Sequence, residues 1–304
     1  MIEKQAQPFL KWAGGKTQLL AQIESFFPDE LLKGSITKYI EPFVGGGAVF
    51  FKVANTYFIQ EFFISDVNPE LILAYKTIQK NIEDLISCLW EKQETYLALT
   101  EEERKIFFYQ VRTDYNLKRN QMNFDTYSSH WIERTAQLIF LNRTCFNGLF
   151  RVNSKGEFNV PFGRYKKPRI CDSDNLRRVS QILEKTTIQQ GDFTKAQEFV
   201  DPNSFVYFDP PYRPISKTSN FNAYSQQTFN DSEQLRLRDF FQSLDQKGVK
   251  LLLSNSDPKN EDQNDDFFED AYSDYRIERV KAARNINSKG SKRGKIKELL
   301  IMNY

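Results

Sequence analysis

The strongest constraint on this chain's fold is the passage Ser204-Phe205-Val206-Tyr207-Phe208, which runs into Asp209-Pro210-Pro211-Tyr212. An uncharged run whose last four residues are all apolar or aromatic fits a strand buried on both faces, as in a parallel sheet covered by helices. Two consecutive prolines cannot extend such a strand, because they donate no N–H and fix φ. The strand must therefore stop at Asp209 and turn. In open α/β sheets the carboxyl ends of the strands form the edge where ligands sit. The turn brings a carboxylate, a carbonyl aimed by stiff prolines and an aromatic ring to that edge. Together these groups suit an exocyclic amine on a flat base. Asp209 and the Pro210 carbonyl can accept its protons, Pro211 keeps the turn rigid, and Tyr212 can stack on the ring. A plain strand-ending turn uses the same residue types, so the rest of the chain has to decide.

The remaining pattern is that of an α/β protein. Residues 39–43 predict a strand, with a helix opening over 44–51 through Gly45-Gly46-Gly47. Residues 62–66 predict a second strand, ending in an acid. Asn68 is placed to cap a helix with Pro69 at its first position. Further strands are predicted over 187–190, 249–254, 275–282 and 296–302. Between them, residues 71–183 read as mainly helical. The expectation is a parallel α/β sheet interrupted by a helical insertion. Two loops, 214–231 and the acidic 257–270, read as mobile, and the acids of 260–266 would repel DNA if they faced it. The segment 284–297 is polar and basic, suited to a phosphate backbone or to solvent.

Composition removes several alternatives. Lys and Arg total 42 against 40 for Asp and Glu, so any nucleic-acid surface must be a local groove and not a global charge. Cys88, Cys145 and Cys171 are odd in number and widely spaced, which fits neither a disulfide framework nor a zinc site. His130 is the single histidine, so a Ser-His-Asp triad or a multi-histidine metal centre has no support, and no metal is expected. The charged N-terminus does not read as a signal peptide, and the apolar runs are short of a membrane span. A cytoplasmic protein is expected, and the sequons at Asn142 and Asn230 read as chance.

Two glycine-containing segments bear on a cofactor. The dinucleotide pattern Gly-x-Gly-x-x-Gly fails after Gly45, because Phe50 stands where its third glycine belongs. Asp66 follows at the end of the next strand, where an acid can accept ribose hydroxyls. This suits a nucleoside cofactor without a pyrophosphate. Asp192 and Phe193, after the third strand, can bind and stack on an adenine. Gly14-Gly15-Lys16-Thr17 ends like a phosphate-binding P-loop, but Leu10 replaces the required glycine.

Taken together, these residues resemble the Dam family of DNA adenine-N6 methyltransferases. The resemblance runs along nearly the whole chain. Its landmarks, in order, are Pro8-Phe9-Leu10-Lys11-Trp12-Ala13-Gly14-Gly15-Lys16, Glu41-Pro42-Phe43-Val44-Gly45-Gly46-Gly47 and Ile64-Ser65-Asp66-Val67-Asn68. They continue with Phe146-Asn147-Gly148-Leu149-Phe150-Arg151, Phe158-Asn159-Val160-Pro161-Phe162-Gly163-Arg164-Tyr165, Asp209-Pro210-Pro211-Tyr212 and Leu253-Ser254-Asn255. The order of glycine motif, insertion and Asp-Pro-Pro-Tyr is that of the α group of amino-methyltransferases. The resemblance implies a Rossmann-like class I methyltransferase sheet, S-adenosylmethionine as methyl donor and 5′-GATC-3′ in double-stranded DNA as target. It implies a catalytic domain of residues 1–75 and 184–304 and a target-recognition domain of residues 76–183. Trp12, Lys16, Phe43, Gly45, Asp66, Asp192, Phe193 and Asp209 match cofactor positions. Lys11, Asn147, Leu149, Arg151, Pro161 and Tyr165 match positions that read or handle DNA. Chemically, Lys11 and Arg151 suit guanine O6 and N7, and Leu149 and Pro161 suit a thymine methyl. Phe150 departs from members with a second arginine at that point. A monomer is implied, with a cognate restriction endonuclease as one biological setting. A methyltransferase for cytosine N4 or for a glutamine amide would use related turns, and a DNA-binding regulator without activity is a further alternative.

Overall fold

The computed structural model describes residues 4–213, 229–283 and 295–304. Helices α1 (Leu20–Glu24) and α2 (Asp29–Leu32) precede β1 (Lys38–Glu41), α3 (Ala48–Thr56) and β2 (Glu61–Asp66). A run of helices follows: α4 (Pro69–Lys80), α5 (Ile82–Ala98), α6 (Glu101–Leu117), α7 (His130–Thr144) and α8 (Ser173–Leu183). The chain then forms β3 (Thr186–Gln190), β4 (Ser204–Phe208), α9 (Asp231–Asp245), β5 (Lys250–Ser256), α10 (Phe267–Ala271), β6 (Arg276–Ala283) and β7 (Lys295–Met302). The strands form one sheet in the order β3-β2-β1-β4-β5-β7-β6.

Strands β1 to β5 pair in parallel. The sheet is not parallel throughout, because β7 runs antiparallel to both β5 and β6. The physical reason is connection length. Only residues 284–294 separate β6 from β7, and a parallel return needs a crossover of a dozen residues or more. The strand order reverses between β1 and β4, which opens the crevice at their carboxyl ends.

All five residues of β4 are buried. Phe205 and Tyr207 join the core on one face with Tyr39 and the helices of the insertion. Val206 and Phe208 join the other, under Phe240 and Phe241 of α9. This alternation is the two-residue period of a strand, and burial on both faces explains why the sequence reads there as one continuous apolar run. Asn68 caps α4 as expected, accepting from the N–H groups of Glu70 and Leu71 at 3.0 and 3.3 Å.

The mainly helical insertion gains one detail, and one expectation changes. The insertion is not helical throughout: past α7, β-bridges join Cys145 to Phe162 and Val152 to Phe158. The acidic stretch 257–270 is ordered by ion pairs, Asp257 with Arg279, Asp265 with Arg213, and Asp266 and Glu269 with Lys259. Its charges are largely spent within the fold. Most of loop 214–231 and of the basic segment 284–297 lies outside the described residues.

Candidate active site and nucleic-acid interface

Asp209 leaves the end of β4 half-buried, and its Oδ1 atom is held from two sides. The Lys16 ammonium lies 2.7 Å away, with its side chain only 5% exposed. The Ser254 hydroxyl of β5 donates to the same oxygen at 3.0 Å. Ser254 is itself 3.0 Å from the Tyr207 hydroxyl. Lys16 also donates to the Gly14 carbonyl at 3.1 Å and sits 4.4 Å from the centre of the Tyr212 ring. The Tyr212 hydroxyl donates to Glu298 of β7 at 2.6 Å. The turn is fixed from below, where the Pro211 carbonyl accepts from Gln234 at 3.1 Å and Gln234 accepts from Asn255. A carboxylate with one oxygen anchored, next to a fixed ring, is a preorganised acceptor for an amine on a stacked base.

The glycine loop follows β1. Gly45 takes φ +47 and its N–H donates to Asp66 Oδ2 at 3.1 Å, while the Asn68 N–H donates to Oδ1 at 2.9 Å. Burial pushes the Asp66 carboxyl up to about 6, against the opposing pull of these N–H groups. The Trp12 ring lies on the loop so closely that a Cβ on Gly45 would be 3.0 Å from its Cδ1 atom. Trp12 in turn stacks on Phe150, the departure noted in the sequence, with ring centres 5.0 Å apart. Phe43 and Phe193 are neighbours at 5.5 Å, and Phe193 is buried. Asp192 accepts two hydrogen bonds from Arg236, at 3.0 and 2.7 Å, and others from Thr194. Its partial burial would raise the carboxyl, but these bonds outweigh it and bring it down to about 2.

On the insertion side, the chain folds back after α7 so that the Pro161 carbonyl accepts from the Phe146 N–H at 2.8 Å. Asn147 sits in the left-handed region at φ 59, which asparagine tolerates better than most residues. It is exposed, as are Lys11 and Pro161, and Leu149, Arg151 and Tyr165 are half-buried. Lys11 lies 5.6 Å from the centre of the Tyr165 ring. Arg151 is oriented by Asn159, whose side-chain and backbone oxygens accept at 2.7 and 3.3 Å. The residues named from the sequence thus gather in two groups. Segment 11–16 joins them, with Lys11 among the insertion residues and Lys16 on Asp209.

Sequence reasoning missed four residues. Ser254 appeared only within a motif, because no spacing rule links β5 to a turn 45 residues earlier. Phe146 is 53% exposed, which no periodicity would reveal in an aromatic. Arg236 lies on α9, a segment to which the sequence assigned no role. Glu41 is 2% exposed at the end of β1. Burial pushes its carboxyl well up, the Tyr39 hydroxyl donating at 2.5 Å opposes this, and the nearby Asp209 charge adds to the rise.

A sheet of this order with an antiparallel seventh strand, a glycine loop after β1 and an Asp-Pro-Pro-Tyr turn after β4 defines a Rossmann-like methyltransferase acting on an amino group. Residues 12–286 match the D12 class N6 adenine-specific DNA methyltransferases. The chain belongs to that family. Type II methyltransferase M.MjaIII of Methanocaldococcus jannaschii is 51% identical over 99% of this chain and 100% of its own length. Type II methyltransferase M1.LlaDCHI of Lactococcus lactis is 40% identical over 98% and 95%. The DNA adenine methylase of Escherichia coli K12 is 32% identical over 98% and 96%. The protein is therefore an enzyme that methylates adenine N6 in DNA at the expense of a methyl donor. The cytosine-N4, glutamine-amide and inactive-regulator readings give way to this one. No helix of the described residues is long and apolar enough to cross a membrane.

Proposed function

We propose that the methyl donor is S-adenosylmethionine and that the target adenine lies in 5′-GATC-3′ of double-stranded DNA. The observation that carries the proposal is the convergence on one crevice of Asp209, held by Lys16 and Ser254, and the Gly45 loop bonded to Asp66. The residues present fit a nucleoside donor. The loop backbone approaches closely because positive φ and Trp12 leave no room for side chains, and a half-buried carboxylate stands ready for ribose hydroxyls. Trp12, Lys16, Phe43, Gly45, Asp66, Asp192, Phe193 and Asp209 would surround the donor, which supplies an electrophilic methyl on a sulfonium.

The target nitrogen is buried in duplex DNA, so the adenine must leave the stack. Tyr212 receives its face, while Asp209 and the Pro210 carbonyl accept hydrogen bonds from its N6–H groups, and Asp209 is placed to take up the one proton that N6 sheds once methylated. This draws N6 toward tetrahedral geometry and aims its lone pair at the methyl group. Holding the reactants in line supplies much of the acceleration. The Asp209 charge stabilises the positive charge that grows on N6. Pro211 keeps the turn rigid.

Residues 1–75 and 184–304 act as the catalytic domain, and 76–183 as the target-recognition domain. Lys11 and Arg151 read guanine, Leu149 and Pro161 contact thymine methyls, Asn147 holds the thymine left unpaired, and Tyr165 supports Lys11. Exposed Phe146, beside Asn147, suits a wedge that fills the gap left by the flipped base. The enzyme works as a monomer in the cytoplasm. Kinship to proteins named type II methyltransferases supports a role beside a cognate endonuclease.

The test is Asp209→Ala. It should lower the single-turnover methylation rate at saturating donor and DNA by at least about a hundredfold, in a protein that still folds but melts lower because buried Lys16 loses its partner. A wild-type rate would remove Asp209 from the chemistry.

A further inference from the structure

Residues 6–11 run between the sheet and the insertion without joining a strand, yet Ala6, Phe9 and Leu10 are buried. Buried backbone polar groups need partners, and asparagine side chains supply them. Asn55 of α3 accepts from the Ala6 N–H at 3.2 Å and donates to its carbonyl at 2.8 Å. Asn175 of α8 does the same for Gln7, at 2.8 and 2.9 Å. Asn142 of α7 repeats the pattern on Lys11, with both distances 2.9 Å. Asn142 alone of the three also holds a second segment: its Nδ2 donates to the Gly148 carbonyl at 2.9 Å. Its amide is thus committed to Lys11 on one side and to the Asn147–Leu149 turn on the other, at 1% exposure.

The two segments fit closely. Gly148 takes φ +66, and a Cβ there would lie 2.3 Å from the Lys11 Cδ atom. Arg143, the neighbour of Asn142, donates to the Phe9 carbonyl at 2.8 Å, a second tie between the end of α7 and the same segment. The Asn142 carboxamide is thus the one group that hydrogen-bonds both Lys11 and the Asn147–Leu149 turn, with the Arg143 tie and the close fit at Gly148 beside it.

We infer that Asn142 is a positioning residue for sequence selection. It fixes the register in which Lys11 and the 147–151 turn meet one DNA site. This rests on the reading that those residues handle the target sequence. Without the amide, the Lys11 N–H and two carbonyls lose their partners in a buried place, and the segments shift to find others. Lys11 then meets its base off-centre, while Asp209, held by Lys16 and Ser254, keeps its chemistry. A residue that merely packed would affect all DNA sites alike.

The test uses the full chain with Asn142→Ala, Asn142→Asp, Lys11→Ala and the double change Lys11→Ala with Asn142→Ala. Aspartate keeps the shape of asparagine but has no amide proton for the two carbonyls. Methylation kcat/KM is measured on the preferred duplex and on duplexes altered one base at a time, beside donor binding and melting temperature. Both Asn142 variants should lose about tenfold or more of the discrimination at the base that Lys11 reads, beyond any change in donor affinity, which alters all duplexes alike. In the Lys11→Ala background, Asn142→Ala should cause no further loss at that base. Wild-type ratios between duplexes in either folded Asn142 variant, whatever its overall rate, would overturn the inference. A wild-type enzyme that methylates all the duplexes equally would instead refute the recognition reading on which the inference rests.

Discussion

Asp66 and Asp209 are both strand-end acids, but their surroundings separate them. Asp209 faces a lysine and a hydroxyl, whereas Asp66 faces only backbone N–H groups and is pushed up to about 6 by burial. Because its folded value lies above the ordinary 3.8, the folded state binds its proton more tightly than the unfolded state does. The resulting stabilisation is complete below about 3.8 and is lost as pH rises through about 6. Donor binding should run the opposite way, since ribose hydroxyls need the ionised form. Affinity for S-adenosylmethionine is expected to climb between pH 5 and 7 and to be flat in Asp66→Asn. Calorimetric titration across that range decides it, and an unaltered pH profile in the variant would remove Asp66 from the ribose. Tyr212 allows a similar separation. Its hydroxyl is bonded to Glu298 and the Lys16 ammonium lies 4.4 Å from its ring centre, so the assigned stacking depends on the ring and not on the hydroxyl. Loss of stacking costs about 1–3 kcal/mol, so Tyr212→Ala should weaken the 2-aminopurine flipping signal strongly and Tyr212→Phe only slightly. Equal signals from the wild type and the alanine variant would contradict the stacking role.

At the scale of elements, α9 joins the two halves of the crevice. Asp231 at its start holds Arg213, the residue after Tyr212, and Arg236 one turn on holds Asp192 and covers the Phe193 ring at 4.2 Å. Arg236→Met should free Asp192 and raise the donor KM several-fold while leaving kcat on saturated enzyme nearly unchanged. A kcat loss with constant KM would place Arg236 elsewhere in the mechanism. The strands and the cap at Asn68 were legible in the sequence because each rests on local signals: an apolar run, a strand-ending acid, an Asn-Pro pair. The reversed β7 was not, since strand direction depends on the length of a connection and not on any residue within the strand. The bridged segment past α7 was hidden as well. Cys145–Phe162 and Val152–Phe158 pair only through isolated bridges, and the short alternation of buried Phe158, Val160 and Phe162 is interrupted by Pro161, which weakens its strand signal. Among site residues, those inside contiguous motifs were legible. Arg236 and Asn142 lie outside those motifs, and the role of Ser254, though inside one, could not be read, because each acts on a residue far away in sequence.

For the whole molecule, segment 11–16 is the physical link between recognition and chemistry. It starts pinned to α7 through Lys11, passes Trp12 over the glycine loop, and ends with Lys16 on Asp209. On the proposed assignment, recognition and methyl transfer share one stretch of backbone, which would let the insertion select the base that the sheet modifies. The most direct test is to map N6-methyladenine, base by base, in unmodified genomic DNA treated with the enzyme and S-adenosylmethionine, in parallel with Arg151→Ala. The wild type should mark the adenine of GATC and leave sites altered at one base about ten- to hundred-fold less modified, and Arg151→Ala should narrow that gap. Modification centred on another sequence, or an Arg151 variant that weakens at every site by one common factor, would contradict the account.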